Sequence, residues 1–282
     1  MIYSFFHSLF YRLIIKIKKI KQKKSWAIVP HQKITTNFSS DFMLYEPHIA
    51  GTSTFSNLIM DANTTRTVLE VFKKLTPGEA SLESVIDFYN KGLERFGDDW
   101  KYADISTAVC VFSKFLDVEN YLEIGVRRGR SMSVFASQSP KADIYGFDMW
   151  VEDYAGSENP GEELVREELS KFNYQGKLVL IDGDSKKTIP NFFRENNDLY
   201  FDMITVDGDH SIGGAVRDLK NVVDRLKIGG VLIFDDISSQ EHPYLREVWE
   251  KHIKKKENMY SYEYGEIGLG VAGFAYGSSV GR

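Results

Sequence analysis

The sequence predicts an α/β fold: a seven-stranded, mostly parallel sheet with a C-terminal antiparallel hairpin, preceded by a helical N-terminal cap. Three observations predict it. Short apolar runs alternate with amphipathic stretches from Glu119 to Lys255, the rhythm of strands and crossover helices. A glycine turn, Gly125-x-x-x-Gly129, joins the first of those runs to a helix that opens at Ser131, which exposes backbone N–H groups to a negatively charged ligand group. Acidic or polar residues follow five successive predicted strands, at the edge where ligands sit in an open parallel sheet.

Composition bounds the rest. The chain has 282 residues, 43% hydrophobic and 27% charged, enough for one large α/β domain with an extension. A net charge of -5 argues against nucleic acid as a partner. The single cysteine, Cys110, excludes an internal disulfide, lies in an apolar helical stretch as an inert thiol would, and suits a reducing, cytoplasmic compartment.

Three regions follow. Residues 1–40 form a basic amphipathic extension with no acidic residue, in which an apolar aromatic run from Ile2 to Ile15 overlaps Arg12, Lys16, Lys18, Lys19, Lys21, Lys23 and Lys24. The run is shorter than the ~20 residues of a spanning helix. It reads as an interfacial helix with a polybasic tail, so residues 1–24 are expected to meet an anionic membrane surface at its inner face. The alternative is packing on the chain's own core or on a second subunit. Residues 41–117 are the helical cap and substrate region, and residues 118–282 the ligand-binding domain.

In order, Trp26 to Asn63 reads as an irregular layer rich in Thr, Ser and Asn. Helices are expected over Thr64–Lys74 and Ala80–Phe96, broken at Thr76-Pro77-Gly78, and over Ile105–Leu116. The expected strands are Tyr121–Ile124, Ile144–Phe147, Leu178–Ile181, Phe201–Val206 and Val231–Phe234. The helices after them are Ser131–Ser137, Gly161–Phe172, Ser185–Asn196, Gly213–Leu226 and about Pro243 to Lys255. Met259–Tyr264 and Leu269–Tyr276, joined at Gly265-Glu266-Ile267-Gly268, read as the closing hairpin.

The strand ends deliver the chemistry. The first gives Glu123 and the glycine turn; the second, Asp148, roughly 20 residues on, suited to a ribose diol. The third gives Gly183-Asp184-Ser185, the fourth Asp207-Gly208-Asp209-His210 and the fifth Asp235-Asp236. A dinucleotide turn wants G-x-G-x-x-G, but Arg127 stands where the middle glycine would be, which disfavours a nicotinamide enzyme.

The pattern Glu123-Ile124-Gly125-x-x-x-Gly129-x-Ser131 resembles motif one of the class I S-adenosylmethionine methyltransferases, which are Rossmann-like. The run Asp207-Gly208-Asp209-His210-Ser211, followed by Leu226-Lys227-x-Gly229-Gly230-Val231-Leu232-x-Phe234-Asp235-Asp236, resembles the metal-dependent O-methyltransferases of the macrocin and catechol types. The resemblance implies a cofactor site of Glu123, Gly125, Gly129, Ser131, Asp148, Met149, Asp184, Ser185 and Asp207, with Met149 packed on adenine. It implies His210 as general base, the alternative being a histidine that caps the next helix. Asp207, Asp235 and Asp236, on adjacent strand ends, would repel one another unless Mg2+ or another divalent cation relieved them.

The implied activity is Mg-assisted O-methylation of a hydroxyl on a sugar or other small polyol or natural product, with a small-molecule or glycan acceptor. Relatives described as cephalosporin hydroxylase-like share the last two signatures, so another reaction on the same scaffold is one alternative. A non-catalytic, membrane-tethered glycan-binding protein is the other. A homo-oligomer is compatible with the sequence. Arg127, Arg128 and Arg130 are expected in solvent, His242 and His252 at the surface, Asp209 as a loop brace, and Lys254-Lys255-Lys256 as a complement to a helix C-terminus.

Overall fold

The computed structural model describes residues 51–152, 159, 161–256, 259–265 and 271–277, and for 228 and 271–277 the backbone alone. The basic extension, and with it the expected membrane contact of residues 1–24, lies outside the described residues. Among those described, no helix is long and apolar enough to cross a membrane.

Among the described residues, four α-helices precede the first strand: α1 (Thr52–Ile59), α2 (Ala62–Phe72), α3 (Ala80–Phe96) and α4 (Ile105–Phe115). The sequence reading left 52–63 irregular, and the structure corrects it. The Asp61 carboxylate accepts the Asn63 N–H at 2.8 Å, so α2 starts at Ala62, before the expected Thr64. Asp104 and Thr107 form a reciprocal capping box on α4. Tyr89, Phe72 and Phe112 are fully buried among these helices.

The alternating region is β1 (Asn120–Ile124), α5 (Arg130–Gln138), β2 (Asp143–Asp148), α6 (Glu162–Ser170), β3 (Leu178–Asp182), α7 (Ser185–Glu195), β4 (Phe201–Val206), α8 (Ile212–Val222) and β5 (Leu226–Asp235). A short α9 (Leu245–Trp249) runs on as a π-helical turn, Glu250–Lys254. Strands β6 (Met259–Ser261) and β7 (Val271–Gly277) follow. β6 is shorter than the expected Met259–Tyr264, and residues 266–270, where the turn was expected, lie outside the described residues.

The sheet order is β3-β2-β1-β4-β5-β7-β6. β1 to β5 pair in parallel, β7 pairs antiparallel with β5, and β6 antiparallel with β7. The order reverses between β1 and β4, so the crevice lies beyond Ile124 and Val206. One apolar cluster joins the four leading helices to Tyr121, Ile144, Met203 and Val231 on one face of the sheet. A second joins Leu122, Phe147, Ile204 and Phe234 on the other face to Leu219 and Trp249. At the far end of the strands, buried Lys227 meets Asp202 at 2.9 Å and Glu119 at 3.2 Å. Asp202 also accepts the N–H groups of Glu119 and Asn120 at 2.9 Å each, which fixes the register of β1 against β4.

Candidate active site

The glycine turn is built for close approach. Gly125 has φ +89°, and a Cβ there would lie 1.8 Å from the carbonyl oxygen of Asp207, so the ends of β1 and β4 meet backbone to backbone. Gly129, with φ +74°, enters α5 from the left-handed region. Between them Arg127 holds φ +50°, unusual for a side chain of its size.

That conformation aims the Arg127 N–H at Asp148 Oδ2, at 2.7 Å. Asp148 Oδ1 accepts the Trp150 N–H at 2.6 Å, and the Trp150 indole N–H donates to the Arg127 carbonyl at 2.9 Å. Asp148 is thus oriented by two main-chain donors. A carboxylate has about four lone-pair sites, so it retains acceptor capacity for a hydroxyl pair. Met149 beside it is 56% exposed, open to a ligand and otherwise unsupported.

Glu123 is buried at 1% exposure. It accepts the Tyr121 hydroxyl at 2.6 Å and the Ser131 hydroxyl, so it ties the end of β1 to the start of α5. Burial pushes its carboxyl up to about 8, against the pull of those hydrogen bonds. Asp184 caps α7 by accepting the Lys186 N–H at 3.0 Å, and the Ser185 hydroxyl donates to Asp218 Oδ1 at 2.7 Å. Asp209 accepts the Ser211 N–H at 2.8 Å and pairs with Lys186.

At the ends of β4 and β5, His210 Nε2 lies 3.1 Å from Asp207 Oδ1 and 3.6 Å from Asp236 Oδ2. These three donors fall within 4.8 Å of one another, the one such grouping found among the described residues. Asp235 is not part of that set; it lies one position back, at the end of β5. Asp236 reaches it from a left-handed backbone, φ +64°. Burial raises the carboxyls of Asp235 and Asp236, the latter to about 6, and Asp207 raises both further. The hydrogen bond that His210 makes to the Asp207 carboxylate raises its imidazole above the ordinary value. The carboxylate oxygens of Asp207 and Asp236, gathered with His210 Nε2 within 4.8 Å, are the hard donors a cation such as Mg2+ takes, while the 3.1 Å contact leaves His210 hydrogen-bonded to Asp207. The donor set therefore fits a divalent cation.

Two sequence expectations are corrected here. His242 is half-buried, and its ring packs on that of His210 at 4.9 Å and 56°. Its Nδ1 meets the Tyr244 hydroxyl at 2.9 Å. The loop that carries it there is set by the Ser239 N–H on the Asp236 carbonyl, at 3.1 Å, and the His242 N–H on Ser239 Oγ, at 3.3 Å. No periodic signal marks such a loop. The arginines of the turn are not given over to solvent: all three reach buried Glu79.

A glycine turn on β1, an acid at the end of β2 and a carboxylate–imidazole group across β4 and β5 thus share one crevice of a doubly wound sheet. Residues 122–237, which hold every one of these elements, match the family model described as a methyltransferase domain. That match covers less than half of the chain and identifies a methyltransferase domain within it. Among solved structures it is similar to a calicheamicin methyltransferase, at 16% identity and a TM-score of 0.47 over 76% of this chain and 91% of that one. It is similar to the O-methyltransferase of tomaymycin synthesis from Streptomyces achromogenes, at 16% identity and 0.48, over 73% and 92%. It is also similar to an O-methyltransferase from Bacillus cereus, at 16% and 0.47, over 76% and 96%. A search of the curated proteins found no match.

Proposed function

We propose that the chain transfers a methyl group from S-adenosylmethionine to a hydroxyl of a sugar or another small polyol or natural product, with a divalent cation such as Mg2+ held by Asp207 and Asp236 beside Asp235. The observation that supports it best is the gathering of Asp207, His210 and Asp236 next to the Gly125 turn. Asp148 and the N–H groups of the turn hold the ribose and the charged end of the methyl donor. The cation, when bound, supplies Lewis-acid polarisation of the acceptor hydroxyl.

The acceptor oxygen attacks the methyl carbon, the carbon–sulfur bond breaks, and S-adenosylhomocysteine leaves. The hydroxyl proton passes to a ring nitrogen of His210, which Asp207 orients. The remaining task of the protein is alignment of oxygen, carbon and sulfur. Residues 1–24 hold the enzyme at an anionic membrane face, a placement supported by their sequence alone.

The test is calorimetric binding of S-adenosylhomocysteine with and without Mg2+, followed by labelled-methyl transfer to a panel of sugars, nucleotide sugars and phenols. Binding with transfer to a sugar hydroxyl is expected. Absence of binding overturns the cofactor assignment. Binding without any methylated product points to a different reaction on the same scaffold. Sedimentation with phosphatidylserine vesicles, comparing the full chain with one lacking residues 1–24, tests the membrane contact.

A further inference from the structure

Glu79 lies in the linker between α2 and α3, outside the matched methyltransferase residues, and is 3% exposed. Three guanidiniums from the glycine turn close on it: Arg127 at 3.3 Å, Arg130 at 3.2 Å and Arg128 at 3.5 Å. Ser81 completes the group, donating to Glu79 at 2.8 Å and accepting from Arg130 at 2.6 Å. The linker is itself fixed to the domain. Thr76 donates its N–H to Glu168 at 2.9 Å, and Lys171 reaches Thr76 Oγ1 at 2.8 Å.

The arginine that Glu79 holds by its side chain is the one whose main chain organises Asp148. Arg127 sits in the left-handed region, donates its N–H to Asp148 and accepts the Trp150 indole N–H. A left-handed arginine is costly on its own and persists where its surroundings over-determine it. Glu79 supplies that constraint from a part of the chain that otherwise reaches this region through Ser81 and Phe72, both on Arg130. Taking a carboxylate out of water to 3% exposure is favourable only with close cationic partners, so cap and turn are each incomplete without the other.

We propose that Glu79 is a positioning residue for methyl-donor binding: the cap, through Glu79, locks Arg127 and so presents Asp148 and the turn N–H groups to the cofactor. This rests on the assignment of the Gly125–Gly129 turn to S-adenosylmethionine. The role reaches beyond acceptor choice, the task a cap would be given by default.

The experiment uses the full chain. S-adenosylhomocysteine affinity is measured for wild type, Glu79→Gln, Arg127→Gln and the double variant, alongside urea midpoints without ligand. Glu79→Gln is expected to weaken binding by about tenfold or more. Because Glu79 acts through Arg127, the double variant should bind no worse than the weaker single one. A Glu79→Gln affinity within about twofold of wild type, with only the urea midpoint lowered, overturns the proposal and leaves Glu79 a stability residue. If Glu79→Gln does not fold, Glu79→Asp, which keeps the charge and withdraws it by one methylene, is judged by the same thresholds. Failure of the wild type to bind S-adenosylhomocysteine rejects the cofactor assignment instead, and the two failures are told apart in one series.

Discussion

Asp148 and Arg127, 21 residues apart in the chain, are joined by a 2.7 Å hydrogen bond from the Arg127 N–H to the Asp148 carboxylate. The bond ties the end of β2 to the glycine turn after β1. Asp148→Ala removes the anchor of the turn and, in the proposed function, the acceptor for the ribose. S-adenosylhomocysteine affinity should fall by about 1–3 kcal/mol, the range for a hydrogen bond to a charged group. Titration calorimetry checks it, and unchanged affinity would remove Asp148 from the cofactor site.

Glu123 makes stability depend on pH. Its carboxyl is raised by burial from 4.5 to about 8, so between those values the folded chain binds a proton that the unfolded chain has released. Its contribution is full below pH 4.5 and is lost as pH rises through about 8. The slope is at most about 1.4 kcal/mol per pH unit. Glu123→Gln should flatten the decline of the urea midpoint across that window. A variant whose pH profile parallels the wild type would show that the carboxyl is ionised throughout.

Two glycines should respond in opposite ways to alanine. At Gly125 the added methyl would sit 1.8 Å from the Asp207 carbonyl, at φ +89°, where backbone rather than a flexible side chain must yield. Loss of about 3 kcal/mol or more is expected, with loss of cofactor binding. Gly213, in the first turn of α8, has open space around the same position. Gly213→Ala should be neutral or stabilising by up to about 1 kcal/mol. Thermal unfolding of the two variants settles the contrast.

Cation binding should be readable without activity. Asp207 raises the carboxyls of Asp235 and Asp236, and Asp236 raises that of Asp235, so negative charge is crowded at these strand ends. Mg2+ or Mn2+ should therefore raise the unfolding temperature of the wild type, by mass action on the folded state. Asp236→Asn should abolish the increment while S-adenosylhomocysteine affinity, assigned to Asp148 in the proposed function, holds. An equal increment in both proteins would place the cation elsewhere.

The sheet was legible because its signals are local. Apolar runs such as Phe201–Val206 and the turn at Gly125 mark each strand and its exit, and the strand ends marked Asp207, His210 and Asp236, which the structure gathers. What escaped depends on contacts between distant residues. Glu79 looks like an ordinary surface glutamate until the linker brings it to arginines some fifty positions on; the Arg130 contact spans 51. His242 lies in a loop whose path is set by a left-handed Asp236, a conformation no pattern announces. Even α1, at Thr52–Ile59, was hidden because its apolar residues are mixed with Thr, Ser and Asn, weak helix formers that tertiary packing of Phe55 and Ile59 overrides.

The two neighbouring imidazoles should separate by their kinetics. His210 contacts Asp207 and lies within reach of Asp236, so it is the ring positioned to take the acceptor proton. His242 touches His210 and Tyr244, and acts on the reaction through them. His210→Gln should lower kcat by about 10²–10⁴, the usual worth of a general base, with S-adenosylhomocysteine affinity unchanged. His242→Gln keeps a polar group on Tyr244 but loses the ring that supports His210, and should cost about tenfold in kcat. The double variant should match His210→Gln alone, since a residue that acts through another adds nothing once its target is gone. Steady-state kinetics of the three variants decide it. Additive losses would mean that His242 meets the reacting atoms itself, and an active His210→Gln would remove the imidazole from the proton-transfer step.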